Sequence, residues 1–200
     1  VGVEINSIFP KIEICYHTSK TVADIDQNLD IKSGEIRGLF TSDISKHIIN
    51  GNYDIAVHSW KDFPIINTNP TKIVGTISRG DSRDILFIKK NSRKNNLKRS
   101  LSIMTSSPRR RYGLELVLNR LTPMRFNKLV FKDLRGNIDT RLKKFMNSAN
   151  DGIVVAKAAI DRIMKTNDVN ISLKNEIQSC FSSCNWMVLP LSLYPTAPGQ

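Results

Sequence analysis

Short β-branched runs alternate with amphipathic segments along this chain, the pattern of strands joined by crossover helices, and it predicts an α/β fold with a parallel sheet. Ile12-Glu13-Ile14-Cys15-Tyr16 alternates apolar and polar positions like a half-buried strand. Leu39–Asn50 reads as a helix: Thr41 or Ser42 can cap it, Ile44, Ile48 and Ile49 share a face, and Asn50-Gly51 ends it. Tyr53–Val57 then reads as a strand running out into a loop, His58–Pro64. Further strands are expected at Ile73–Ile77, Ile85–Ile88, Leu101–Met104, Leu129–Lys132 and Ile153–Ala156, with helices at Pro108–Arg120, Asp139–Ser148 and Lys157–Lys165.

Between two of those strands, Ser78-Arg79-Gly80-Asp81-Ser82 is polar and turn-rich, the natural place for a crossing between domains. Asn91–Ser100 is basic and lacks apolar periodicity, so a mobile surface loop is expected there. The proline-rich tail from Leu189 to Gln200 carries no capping signal and reads as cut rather than finished. No internal repeat of solenoid period is present.

Composition narrows the class. The chain has 200 residues, 40% hydrophobic and 24% charged, enough for one large domain or two small ones of an ordinary globular protein. No apolar run approaches the roughly 18–20 residues of a membrane span, and the first residues do not have the form of a signal peptide. Cys15, Cys180 and Cys184 are an odd, sparse set, unlike a disulfide framework, and His17, His47 and His58 are too scattered to complete a metal site, so no metal is expected. All three cysteines are expected to be structural.

A formal net charge of +12 points toward polyanions: nucleic acid, or a substrate rich in carboxylates. The arginines say more by their placement. In Thr105-Ser106-Ser107-Pro108-Arg109-Arg110-Arg111, which follows a predicted strand, Ser107 suits the N-cap and Pro108 the first helical position. Free backbone donors and the positive dipole end then face outward, and the arginines add forked donors matched to carboxylate or phosphate. Asp133-Leu134-Arg135-Gly136-Asn137-Ile138-Asp139-Thr140-Arg141 repeats the design, with a glycine turn and a polar cap at Asn137 or Asp139. In an open parallel sheet both would lie at the carboxyl edge, where ligands bind. Two such sites imply an extended ligand with several negative groups.

A nucleic-acid-binding basic module is the competing reading. Against it, aromatics make up 7% of the chain and none interleaves with Arg109–Arg111 as a stacking platform would. The remaining candidate is Asp62 in His58-Ser59-Trp60-Lys61-Asp62-Phe63-Pro64. Its ionic neighbour Lys61 and apolar neighbour Phe63 could tune its proton affinity either way, as acid–base work requires.

Taken in order, the segments Gly38-Leu39-Phe40, Asp54–Pro64, Arg79–Asp84, Thr105–Arg110, Asp133–Leu142 and Ala197-Pro198-Gly199-Gln200 resemble hydroxymethylbilane synthase, also called porphobilinogen deaminase. Order and spacing agree over nearly the whole chain from Gly34 on. The resemblance implies a transferase that deaminates porphobilinogen and condenses four units into a linear tetrapyrrole, an early step of haem and related tetrapyrrole synthesis. It implies that the chain grows on a covalent dipyrromethane cofactor, held by a cysteine of a third domain that these residues do not contain. Each ring carries an acetate and a propionate, which would explain the arginines.

By position, Asp62 matches the catalytic aspartate that hydrogen-bonds pyrrole N–H groups, assists loss of ammonia and stabilises the cationic azafulvene that follows. Arg109, Arg110, Arg135 and Arg141 match the arginines that hold side-chain carboxylates, and Arg162 matches another. Ser59, Lys61, Thr105, Ser106, Ser107 and Gly136 fall at positions lining the same cleft, and Arg37 stands where the family usually has lysine. Trp60, Pro108 and Arg111 depart from the usual methionine, leucine and glutamine. Val1–Pro10 resembles the helix that follows the family's first strand.

The resemblance implies two domains of the periplasmic-binding-protein type with a cleft between them, the family's third α+β domain being absent. Their expected bounds are 1–78 plus 180–200, and 82–175, with 79–81 as the crossing. The expected partners are porphobilinogen and its oligomers, with no nucleic acid and no membrane, for a monomer in the cytoplasm or a plastid.

Overall fold

The computed structural model describes residues 1–18, 39–59, 70–90, 100–123, 125–166 and 171–196, and divides into two compact units, one within Val1–Ser78 and one over Arg79–Ala197. The first unit holds helix α1 (Gly2–Ile8) and helix α2 (Leu39–Ile49). Helix α2 ends as its sequence requires. Gly51 takes a left-handed φ of 71°, Gly51 N donates to Ile48 O at 3.0 Å, and Asn52 N donates to His47 O at 2.9 Å. These two bonds are the Schellman closure that satisfies carbonyls left over at a helix end. Beside it, the Tyr53 ring lies 5.0 Å from both His17 and His47.

Three expected strands of this unit are not strands. Ile12–Tyr16, Tyr53–Val57 and Ile73–Ile77 are irregular, and Ile12, Tyr16, Ile55, Val57, Ile73, Val74 and Ile77 are all at least half exposed. Alternation marks a segment that can lie on a sheet, but the ladder that makes it a strand comes from a neighbour, and none pairs with them among the described residues. Cys15 is exposed in one of these segments, so the expectation of three structural cysteines holds only for buried Cys180 and Cys184.

The second unit is built on one five-stranded sheet, making the fold a mixed α/β one. Its elements in chain order are β1 (Asp84–Lys89), β2 (Ser100–Met104), α3 (Pro108–Leu121), β3 (Lys128–Lys132), α4 (Ile138–Met146), β4 (Gly152–Ala156), α5 (Lys157–Lys165), α6 (Ile171–Ser183) and β5 (Cys184–Val188). The spatial order is β3-β2-β4-β1-β5. Strand β2 runs parallel to β3 and β4, whereas β1 is antiparallel to β4 and β5. The sheet is therefore mixed, not parallel. Apolar periodicity detects a strand but not its direction, and no helix-patterned segment separates β1 from β2 to impose a parallel crossover.

Period-two alternation divides the core between the two faces of this sheet. Ile85, Phe87, Ile153 and Val155 pack with Leu142 and Phe145 of α4, Ile160 and Ile163 of α5, and Ile177 and Cys180 of α6. Leu86, Ile88, Leu101, Ile103 and Val154 face the other way, onto Leu114, Val117 and Leu118 of α3 together with Leu189 and Tyr194. Because both faces are covered, β1 and β4 read as unbroken apolar runs. Each fully buried Ile, Leu or Phe contributes about 1.5–3 kcal/mol relative to exposure.

The segment 180–200 was assigned above to the first domain. Its part Cys184–Val188 is β5, pairing Ile85 with Val188 and Lys89 with Cys184 in this sheet, and Leu189 and Tyr194 complete the α3 face. The expected loop Asn91–Ser100 lies outside the described residues except for Ser100, which begins β2.

Candidate functional site

Strand direction gathers the charged residues of the second unit at one edge. The parallel strands β2, β3 and β4 end there and lead into α3, α4 and α5, while antiparallel β1 begins there, with Asp84 opposite Ala156. The loop after β2 and the loop after β3 are tied together: Thr105 N donates to Lys132 O at 2.8 Å and Leu134 N to Ser106 Oγ at 2.7 Å. Thr105 is buried, its Oγ1 accepts Ser107 N at 3.2 Å, and its carbonyl accepts both Nε and Nη2 of Arg111. Arg111 also reaches Asp133 at 2.5 Å. Thr105, Ser106 and Arg111 therefore brace the two loops.

Both helix starts are capped as the residue order predicts. Ser107 Oγ accepts Arg110 N, with Pro108 in the first turn, and Asn137 Oδ1 accepts Thr140 N at 2.9 Å. Gly136 has a φ of 112°, and a Cβ there would lie 2.9 Å from Thr140 Cγ2. The turn that aims Arg135 and α4 therefore accepts only glycine without strain.

Arg109 and Arg110 converge on Asp84, a residue the sequence reading had not singled out. Asp84 is fully buried; Arg109 Nη2 donates to its Oδ2 at 2.7 Å, and Arg110 donates through Nε at 3.1 Å and Nη2 at 2.8 Å. Burial works to raise the Asp84 pKa, but the hydrogen bonds and charges of Arg110 and Arg109 outweigh it and hold the carboxyl below its ordinary value. Arg109 also donates to Pro195 O at 3.1 Å and lies over the Tyr194 ring at 5.5 Å. Tyr194 is itself buried beside Asp84, and burial with that negative charge raises its phenol pKa. The one available signal was a carboxylate opening the apolar run Ile85-Leu86-Phe87-Ile88.

Arg141 completes the cluster. Its Nε donates to Gly136 O at 2.6 Å. Burial, and then the positive charge of Arg110, push its pKa down from the usual guanidinium value. Arg135 is exposed on the same loop. Arg162 is exposed on α5, whose buried face is carried by Ile160 and Ile163. At the foot of α5, Lys157 pairs with Asp161 at 2.5 Å and with Asp81 at 3.5 Å, and Asp81 is chelated by Arg83 at 2.6 Å. The Arg83 hydrogen bonds hold Asp81 well below the usual carboxylate range.

In the first unit, Ser59 is exposed. Arg37, Lys61 and Asp62 lie outside the described residues. Among the described residues no group of His, Cys, Asp or Glu is placed to hold a metal ion, and no helix is long and apolar enough to cross a membrane. Burial pushes the Cys180 thiol up to about 12 and raises Cys184 as well, so neither supplies a ready thiolate.

The chemistry of this edge suits a ligand carrying carboxylates. Arg109 and Arg110 together hold one more positive charge than Asp84 offsets. Arg141 adds another beside Arg110, in a partly buried place where like charges are costly. An anionic group there would relieve the repulsion and match the forked guanidinium geometry.

A family model described as porphobilinogen deaminase, dipyromethane cofactor binding domain, matches residues 3–187. A probable porphobilinogen deaminase of Picrophilus torridus is 40% identical over 159 residues, covering 80% of this chain and 52% of the relative. The porphobilinogen deaminase of Chlorobium phaeobacteroides is 33% identical over 174 residues, 87% of this chain and 53% of its own length. That of Syntrophomonas wolfei is 35% identical over 161 residues, 80% and 49%. The chain thus spans about half the length of the curated relatives it matches. The nucleic-acid reading gains no support from these matches.

Proposed function

The chain belongs to the porphobilinogen deaminase family, and from that premise we propose that it serves the deamination of porphobilinogen and the head-to-tail condensation of four units, one after another, into hydroxymethylbilane. The observation that carries the proposal is the meeting of Arg109 and Arg110 on the single buried carboxylate of Asp84 at the sheet edge, which leaves an excess of positive charge suited to a multiply carboxylated ligand. The names of the relatives supply the reaction class.

In this reading Arg109, Arg110, Arg135 and Arg141, with Arg162 and Arg37, hold the acetate and propionate groups. Ser107 and Gly136 present backbone donors at the starts of α3 and α4. Thr105 and Ser106 keep the two loops in register, and Ser59 and Lys61 line the ligand's path. These same arginines would hold the carboxylates of a dipyrromethane group, which when bound would supply the free pyrrole carbon to which the first unit is joined. Asp62 accepts hydrogen bonds from pyrrole N–H groups, assists the loss of ammonia and offsets the positive charge left on the substrate.

The finer architecture belongs to the proposal too: two domains of the periplasmic-binding-protein type with the ligand cleft between them and the crossing at 79–81. A monomer in the cytoplasm or a plastid is the setting expected for it. The division of the chain between Ser78 and Arg79 favours that crossing.

The test is porphobilinogen turnover by the complete protein. Asp62→Asn should lower turnover by about 100-fold or more, the scale of a lost acid–base group. Near-normal turnover in that variant overturns the assignment of Asp62.

A further inference from the structure

We propose that Asp84 is a positioning residue that sets Arg109 and Arg110 in place for ligand carboxylates, an inference that rests on the function proposed above. Asp84 is fully buried where β1 begins, and the desolvation of a carboxylate is costly unless it is compensated. An apolar residue would close the same strand end more cheaply, as Ile85, Leu86, Phe87 and Ile88 do further along. What a carboxylate adds is geometry. Both of its oxygens are engaged by Arg110, through Nε and Nη2, and one of them also accepts from Arg109 Nη2. A two-point fork fixes the plane of a guanidinium, which a single contact leaves free to rotate.

Charge balance separates positioning from neutralisation. Two arginines meet one aspartate, and Arg141 adds a further positive charge beside Arg110. Asp84 therefore leaves the edge cationic while it removes the freedom of two long side chains. Ordering them before the ligand arrives lowers the entropic cost of binding, which is how preorganisation raises affinity. The antiparallel direction of β1 is what makes this possible, because it sets the start of that strand opposite the end of β4, on the side of the sheet toward which β2 and β3 also run.

A double-mutant cycle on the complete protein tests the idea. Asp84→Asn and Arg110→Gln should each lower kcat/KM for porphobilinogen about tenfold, mainly through KM, and the double variant should be no more than about twofold worse than either. Multiplied losses, about 100-fold in the double variant, would overturn the proposal, because Asp84 would then act apart from Arg110. A purely structural aspartate would lower the apparent kcat in proportion to the fraction unfolded and leave KM unchanged, so thermal melts accompany the kinetics. Should Asp84→Asn not fold, Asp84→Glu keeps the charge and displaces it by one methylene. It should raise KM with kcat preserved, and an unchanged KM overturns the proposal equally.

A second readout does not depend on turnover. In the 200-residue chain labelled with nitrogen-15 at arginine, the Arg110 Nε–H should be protected from exchange and should lose that protection in folded Asp84→Asn. An unchanged signal would contradict the fork. A complete protein that ignores porphobilinogen while this signal responds would defeat the proposed function and leave the Asp84–Arg110 geometry standing.

Discussion

Asp84 carries a charge that folding must keep. Its pKa in the folded protein lies below the ordinary value because Arg110 and Arg109 outweigh burial. The stability it contributes is therefore complete above the unfolded carboxyl's pKa, near 3.9, and is lost as pH falls through the lower folded value. Urea unfolding near neutrality should find Asp84→Asn less stable by about 3 kcal/mol, since two partly buried cations lose their carboxylate. As the pH drops below about 4 that gap should narrow, because Asp84 of the unfolded chain takes up a proton there while the folded carboxylate keeps its charge until the pH falls through its own lower value. A gap of the same size on both sides of that range would show that the charge is not what matters. Much of the site at this scale could be read from residue order: Ser107, Pro108, Asn137 and Gly136 occupy the places their chemistry selects, because caps and turns are decided within a few residues. Asp84 could not be found that way. Its partners stand 25 and 26 residues away, and the contact exists only because β1 enters the sheet antiparallel.

At the level of elements, covered and uncovered segments explain what the pattern revealed. Strands β1, β2, β3 and β4 and helices α3, α4 and α5 fall within a few residues of expectation, since α3, α4, α5 and α6 cover both faces of the sheet and enforce the apolar positions. No such neighbour stands beside the alternating segments of the first unit among the described residues, and their large apolar side chains are exposed. Helix α6 and strand β5 escaped notice for the opposite reason. Ile171–Ser183 is rich in serine and polar residues, and Cys184-Asn185-Trp186-Met187-Val188 holds a single β-branched residue, so burial overrides weak local preference. Helix starts offer a direct test of the two arginine-bearing loops. Ser107→Ala and Asn137→Ala should each cost about 1 kcal/mol in chemical denaturation, the usual worth of an N-cap. Because Ser107 sits inside a loop braced by Ser106 and Arg111, its loss should leave the Arg110–Asp84 pair intact, whereas Asn137→Ala should loosen the Gly136 turn that holds Arg141. Equal and negligible costs would mean that packing alone fixes both helices.

On the scale of the molecule, the two units are unequal. Every large apolar side chain that is fully buried among the described residues falls between Ile85 and Tyr194, in two clusters separated by one sheet. Among the described residues every strand lies between Asp84 and Val188, and Asp84, Arg109, Arg110, Arg135 and Arg141 belong to the same unit. A domain is a length of chain with a core of its own, and by that criterion Arg79–Ala197 qualifies. Expressed alone, it should unfold in one cooperative transition, with the Cys180 and Cys184 thiols unreactive to a water-soluble thiol reagent until the transition begins, because both are buried in the core. It should also keep the protected Arg110 Nε–H, since every partner of that side chain lies within the same span. Ser59 and Asp62 lie outside it, so the fragment should bind carboxylated pyrroles weakly and turn over none. A broad, non-cooperative melt with early thiol labelling would show that the core described between Ile85 and Tyr194 depends on the rest of the chain. Porphobilinogen turnover by the fragment would remove Asp62 from the chemistry altogether.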